Sequence, residues 1–295
     1  ILFPIIYGSI LYLFPQFETA LIIFTILVLA ETHFGATWPF FLSKMNLEFI
    51  KEKKINLIIV PILIVGLSIY GFFAYKNIFL LVFFIANIFH VTRQSSGVCK
   101  LYSKNSNEYS FQEKQIYFFN FIMLVIAYLR FYLPIIKSDH LFFLNILVLL
   151  YLFLISIYYI IKFNYSENYL TFITGMLIFF PACFVSNPVH VIIMGVTMHY
   201  TQYLYLTKHV NDSRNKLKSS ILFSNKNYFI TIISYSILMT ILSIIGKSFD
   251  DEIFKNLILI PIIGQMLHFY LDSQLWRFSL KINRENTLKY LKEII

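Results

Sequence analysis

Long apolar runs recur from one end of the chain to the other, and they restrict its fold more than any other feature. The run Leu141–Tyr159 contains no charged residue. A helix needs about 20 apolar residues to cross the hydrocarbon core of a bilayer, which is about 30 Å thick. Only helices and closed barrels satisfy their backbone groups in lipid. The run lacks the alternation of polar and apolar residues that a barrel strand shows, so the sequence predicts transmembrane helices.

The charge of the chain agrees with a membrane protein. Only 13% of its 295 residues are charged, whereas a soluble domain carries about 25%, so polar groups are too few to coat a water-soluble globule. The net charge of +9 does not indicate nucleic acid, because the Lys and Arg residues lie between the apolar runs, where they set topology and meet anionic lipid. We therefore predict the lipid bilayer as a partner, and no nucleic acid.

Ten apolar segments are candidates for crossing the membrane. They are Ile1–Phe14, Phe17–Phe34, Ile55–Tyr75, Ile78–Val91, Ile116–Ile136, Leu141–Phe163, Tyr169–Val185, Val189–Leu206, Tyr228–Ile245 and Ile253–Leu271. We expect an all-α, polytopic membrane helix bundle with about 8–10 transmembrane helices. No repeat or inserted soluble domain is visible, which predicts a single transmembrane domain over residues 1–295. Because the chain opens with Ile1 inside an apolar stretch, we expect its N-terminus to be incomplete.

The basic residues also predict an orientation. The loops after the even-numbered segments and the C-terminal tail carry most of the Lys and Arg residues, for example Lys51, Arg93 and Lys208. The positive-inside rule makes this basic side cytoplasmic. We therefore expect an integral protein of a bacterial or archaeal cytoplasmic membrane with a cytoplasmic C-terminus.

Four histidines lie near the C-terminal ends of even-numbered segments, which are expected to run in the same direction and to end at the same depth. They are His33, His90, His199 and His268. Ionisable groups inside a bilayer are costly and usually mark a site, and neutral imidazole is a common ligand of iron, copper and zinc. We predict that these four side chains bind a metal ion near the cytoplasmic side. His140 and His190 fall at the opposite face, and His209 is expected in the loop after segment eight.

Each of these four histidines has a polar companion close to it in sequence. The companions are Glu31, Gln94, Gln202 and Asp272. Three of them follow their histidine by three or four residues, which places both side chains on one helix face. A ligating histidine needs a hydrogen-bond partner that fixes its tautomer, and we predict this role, or direct ligation by oxygen, for the companions. Gly35 and Pro39 follow His33, and we expect the helix to break there.

A simpler interpretation stays open. A single histidine at a helix end is usually interfacial, where it forms hydrogen bonds with a lipid headgroup or a carbonyl group. Four scattered interfacial histidines would explain the pattern without any metal.

In the layout of these histidines the chain resembles integral-membrane, histidine-rich, metal-dependent oxygenases, which include fatty-acid desaturases, hydroxylases and the Brp/Blh-type carotene dioxygenases. Desaturases carry HxxxH and HxxHH boxes that hold two irons, and this chain has seven histidines and no such box. The triplet His33–Phe34–Gly35 is similar to a Brp/Blh-type pattern, although Trp38 and Pro39 stand where that pattern has an acidic residue. The resemblance implies an all-helical fold in which His33, His90, His199 and His268 carry one iron.

The sequence thus leads to a functional expectation with alternatives. We expect a membrane-embedded oxygenase or hydroxylase-like enzyme with non-haem iron, acting with O2 on a lipophilic substrate, with or without an electron donor. One iron fits the number of histidines better than two, and two metals become possible only if Glu31 and Asp272 ligate directly. Zinc or copper in place of iron stays open, because imidazole serves all three. The alternatives are a proton-coupled membrane transporter, a haem-binding subunit with two axial histidines, and a structural membrane subunit.

Overall fold

The computed structural model describes residues 2–42, 44–103, 105–165, 167–216, 225–248 and 251–291. The chain is an all-α helix bundle, with twelve helices among these residues. In chain order they are α1 (Leu2–Leu13), α2 (Pro15–Phe41), α3 (Lys44–Glu52), α4 (Ile55–Ala74), α5 (Lys76–Tyr102), α6 (Ser106–Tyr132), α7 (Ser138–Phe163), α8 (Glu167–Leu177), α9 (Pro188–Lys216), α10 (Asn225–Ser248), α11 (Glu252–Leu275) and α12 (281–291).

Seven helices in the described part of the chain are long and apolar enough to cross a membrane, namely α2, α4, α5, α6, α7, α10 and α11. The predicted all-α helix bundle is therefore confirmed. Seven helices of this kind compare with the 8–10 predicted, because α1, α8 and α9, which carry three of the ten predicted segments, are not among them. Helices α4 and α7 are the most apolar of the seven. Most of their side chains are exposed on the protein surface, as expected for helices that face lipid.

The helices form two compact units, and α2, α5 and α9 contribute residues to both. The first unit contains residues 1–18 and 88–199, and the second contains residues 19–87 and 200–295. The single domain expected from the sequence stays a prediction.

In the first unit, a buried polar network joins α6, α7 and α8. The Glu108 carboxylate accepts hydrogen bonds from the Tyr159 hydroxyl (2.5 Å) and from the Asn168 side-chain amide (3.0 Å). Gln112 donates to the same tyrosine oxygen at 3.1 Å. Because a buried carboxylate without partners is very costly, these donors are what allows Glu108 to lie inside the bundle.

In the second unit, α2 packs along α10 and α4 packs along α11. The α2–α10 contact is close at Gly35, where an added Cβ would lie 3.0 Å from a ring carbon of Tyr235. The helix break expected after His33 is absent, because α2 continues through Pro39 to Phe41. Proline removes only one helical hydrogen bond, to the carbonyl four residues earlier, and the packing against α10 holds this stretch in place.

The predicted end of segment eight at Leu206 is also wrong, because α9 continues to Lys216 and includes His209. Its polar extension packs against α12 in the second unit. The Arg214 guanidinium donates to the Asn286 carbonyl oxygen at 2.6 and 2.9 Å and lies 4.4 Å from the Phe40 ring centroid. Burial lowers the pKa of Arg214 to about 10, so the side chain stays charged at neutral pH. These contacts stabilise a helix that its composition alone would not predict.

The contact between α9 and the end of α8 gives a stability prediction. A Cβ at Gly195 would lie 1.9 Å from the Ile178 carbonyl oxygen, so Gly195→Ala forces the backbone apart. We expect it to lower the free energy of unfolding by about 1–3 kcal/mol, measured from the thermal midpoint in detergent.

Gly97 supplies a matched control in the same unit. It is an exposed helical glycine, and an added Cβ would meet no atom within 4 Å. Gly97→Ala is expected to raise stability by up to about 1 kcal/mol, because alanine favours the helix. Equal midpoints for the two variants would contradict the packing at Gly195.

Candidate metal centre

In the second unit, α2 and α11 bring two buried imidazoles together. The ring centroids of His33 and His268 lie 4.5 Å apart, and neither side chain is exposed. Tyr200 and Tyr203 of α9 pack against His33 at 4.9 and 4.4 Å. A π-helical turn over Ile26–Ala30 directly precedes this part of α2, and such turns are frequent at functional sites.

A chain of hydrogen bonds fixes the proton of His268. Its Nδ1 lies 2.6 Å from the Thr37 hydroxyl oxygen, and this hydroxyl donates to Asp272 Oδ1 at 3.1 Å. Because a carboxylate only accepts and Thr37 has a single hydroxyl proton, a Thr37 hydroxyl that donates to Asp272 receives its own hydrogen bond from His268 Nδ1–H. The Nε2 atom of His268 therefore carries a lone pair, which is the form that binds a metal.

Tyr203 completes this network. Its hydroxyl donates to the same Asp272 oxygen at 2.7 Å and lies 3.0 Å from Thr37 Oγ1. Asp272, Tyr203 and Thr37 are all buried. Asp272 thus acts on His268 through Thr37, since the direct distance from His268 Nδ1 to Asp272 Oδ1 is 3.8 Å.

In the first unit, α5 and α9 bring together the other two predicted ligands. The ring centroids of His90 and His199 lie 5.8 Å apart, with an interplanar angle of 80°. Both residues are buried. As in the second unit, two imidazoles from helices distant in sequence face one another.

Groups of histidine side chains that could hold a metal ion are present among the described residues. In these groups the ligand atoms lie within 4.8 Å of one another and every member is buried. The donors are imidazole nitrogens, joined in one group by a carboxylate oxygen, and this set suits iron, copper or zinc better than magnesium or calcium.

The remaining predicted companions are placed differently. Glu31 is buried, and its Oε1 atom accepts a hydrogen bond from Gln265 at 3.2 Å. Gln94 and Gln202 are half-buried. Glu31 is thus held by a partner on α11, which its position in the sequence does not reveal.

The other three histidines have defined surroundings. His190 is buried between the Tyr7 hydroxyl, 2.7 Å from Nδ1, and the Glu18 carboxylate, 2.8 Å from Nε2. His209 donates from Nε2 to the Tyr290 carbonyl oxygen at 3.1 Å. His140 is exposed in the first turn of α7 and accepts from a backbone amide at 3.3 Å. His190 is therefore buried and forms its hydrogen bonds within the protein.

No protein-family model, no curated protein and no solved structure matches this chain. The resemblance in layout to histidine-rich membrane oxygenases therefore stays a prediction. We therefore base the proposed function on the chemistry of the chain's own residues.

The proton assignment at His268 can be tested directly. Thr37→Val removes the acceptor of Nδ1–H, so we expect the Nδ1–H tautomer to lose its dominance and the Nε2–H tautomer to appear. Nuclear magnetic resonance of the ring nitrogens in histidine-labelled protein measures both.

Thr25→Val is the matched control. Thr25 lies on the same helix and is buried, and its hydroxyl donates to the Leu21 carbonyl oxygen at 2.8 Å. It should leave the His268 resonances unchanged. Identical His268 tautomers in the wild type and in Thr37→Val would overturn the assignment.

Proposed function

We propose that this chain is a membrane-embedded, metal-dependent enzyme of the oxygenase or hydroxylase kind. A single non-haem iron bound by His33, His90, His199 and His268 would act with O2 on a lipophilic substrate. The observation that carries the proposal is the presence of two buried imidazole pairs, one of which is joined through Thr37 to the buried Asp272 carboxylate. Buried imidazoles are costly in a membrane protein, and two such pairs are difficult to explain as interfacial residues.

The close grouping of buried histidine ligand atoms among the described residues supports the proposal.

The donor set and its surroundings favour iron and O2. Four neutral imidazoles leave coordination positions open on a six-coordinate ion, and a non-haem iron with open positions activates O2. The aromatic rings of Phe34, Tyr200 and Phe269 lie around the His33–His268 pair, and such walls exclude water from reactive chemistry.

The residues of this chain then have separate roles. The imidazoles hold the metal, Asp272 and Thr37 fix the His268 tautomer, and Glu31 with Gln265 orients the segment around His33. When bound, the iron would supply the redox chemistry with O2.

We further propose that Gln94 and Gln202 orient His90 and His199. We also propose that the basic loops place the C-terminus in the cytoplasm of a bacterial or archaeal cell.

A proton-coupled carrier is the second candidate, and one observation favours it. The hydrogen-bonded chain from half-exposed Glu18 through buried His190 to buried Tyr7 would serve as a proton relay in the first unit. Such relays occur in membrane pumps and transporters. Metal content separates the two candidates, because a carrier built on this relay needs none.

Metal analysis of the detergent-purified protein is the first test. We expect a single non-haem iron per chain and no Soret band. His268→Ala and His199→Ala should each abolish iron retention, while His140→Ala, which changes an exposed histidine, should retain it. Absence of metal from the wild type, or undiminished iron in both ligand variants, would refute the proposed centre; a haem spectrum would favour the haem-binding alternative.

The reaction can be tested with isotopically labelled O2. Iron-loaded protein incubated with a lipid extract and a chemical reductant should yield a lipophilic product that carries the label, detected by mass spectrometry. Asp272→Asn is expected to weaken metal binding by about 10–100-fold and to lower the yield at limiting iron. Unlabelled products in every sample would exclude oxygenase chemistry.

A further inference from the structure

The Tyr203 phenol lies where an electron and a proton can leave it in different directions. Its ring packs edge-on against His33, with 4.4 Å between centroids, and its hydroxyl donates to Asp272 Oδ1 at 2.7 Å. The side chain is buried, only 4% exposed. The electron therefore has a path to the imidazole, and the proton has a path to the carboxylate.

This geometry bears on how easily tyrosine is oxidised. A phenol that loses an electron while it keeps its proton becomes a strongly acidic cation, which a buried apolar site does not tolerate. Loss of the electron becomes accessible when a base accepts the proton in the same step. Asp272 is such a base at hydrogen-bond distance, and it is held in place by Thr37.

Aromatic residues connect Tyr203 to a more exposed part of the second unit. The Trp276 ring centroid is 5.7 Å from that of Tyr203, and Trp276 in turn stacks on Phe40 at 5.5 Å and contacts Phe278 at 6.1 Å. Trp276 is only partly buried. Tyrosine and tryptophan are the two most easily oxidised aromatic side chains. Here Tyr203 packs on His33, and Trp276 packs on Tyr203 nearer the protein surface.

We propose that Tyr203 is a redox-active residue that supplies one electron to the metal centre. The Tyr203 O–H bond breaks, its proton forms a new O–H bond at Asp272 Oδ1, and its electron reduces a metal ion in a higher oxidation state by one unit. Tyr203 is restored when an external one-electron donor returns an electron through Trp276 and Asp272 returns the proton. The identity of the oxidant rests on the proposed function; the pairing of phenol and base does not.

A purely structural role for the hydrogen bond makes a different prediction. A structural Tyr203 would hold α9 to α11, and its oxidation would be no easier than that of other buried tyrosines. Tyr228 is the matched comparison, because it is also buried and its hydroxyl bonds the Thr207 hydroxyl at 2.9 Å. A threonine hydroxyl is a far weaker base than a carboxylate.

The experiment is flash photo-oxidation of the full chain as purified in detergent, with a soluble ruthenium photo-oxidant and persulfate. Freeze-trapped samples are examined by electron paramagnetic resonance. We expect a tyrosyl radical whose signal is largely lost in Tyr203→Phe and kept in Tyr228→Phe. The phenylalanine ring preserves the packing on His33, so loss of the signal reports the hydroxyl.

Two further samples test the path of the proton and of the electron. Asp272→Asn should reduce the radical yield several-fold, and deuterated solvent should slow radical formation in the wild type. If Asp272→Asn does not fold, Trp276→Phe replaces it and should slow radical formation. A signal undiminished in Tyr203→Phe, or a wild-type rate that is the same in deuterated solvent, would overturn the proposal.

Metal content is recorded on the same samples. A Tyr203 radical in protein that holds no metal would support the redox pair and refute the oxygenase. Iron retention without a Tyr203 radical would refute the redox role and leave the proposed oxygenase standing.

Discussion

The hydrogen-bond chain from His268 through Thr37 to Asp272 is the interaction on which the site depends. Water is scarce inside a membrane helix bundle, so each buried polar group must find its partner in the protein. Asp272 accepts two hydroxyl hydrogen bonds, at 2.7 and 3.1 Å, and both hydroxyls are thereby fixed in direction. The Thr37 oxygen is then available only as an acceptor, and this decides which nitrogen of His268 holds the proton. One carboxylate thus orients three side chains from three helices.

The helices could be predicted from the sequence because one physical requirement dominates. Backbone groups in lipid must form their hydrogen bonds within their own helix, so apolar runs of sufficient length become helices. Each of the ten predicted segments coincides with a helix in the structure, and one of them, Tyr169–Val185, also includes the short helical turn that follows its helix. The errors fall where other forces decide. The extension of α9 beyond Leu206 depends on the packing of Arg214 against α12, and the continuity of α2 through Pro39 depends on α10. Neither neighbour is visible in the local sequence.

The site was only partly accessible from the sequence, for a related reason. Helical spacing links Asp272 to His268, because both lie on α11 four residues apart. No spacing rule links His268 to Thr37, Asp272 to Tyr203 or Glu31 to Gln265, because these residues come from different helices. A threonine in an apolar segment gives no signal of its own, since its hydroxyl usually bonds the carbonyl one turn earlier, as Thr25 does. The assignment of four histidines to one metal stays a prediction that metal analysis must decide.

The two units contain histidine relays of similar chemistry that end differently. In the first unit, His190 connects the Tyr7 hydroxyl to Glu18, whose side chain is 46% exposed. In the second, His268 connects through Thr37 to Asp272, which is buried together with Tyr203. A relay that reaches water exchanges its proton with the solvent, whereas a relay that ends in a buried carboxylate keeps its protons within a closed set of groups. The second arrangement suits a metal ligand and a redox-active phenol, because both need a proton that moves only within the site. The first arrangement has its carboxylate at the protein surface, whereas the carboxylate of the second is buried.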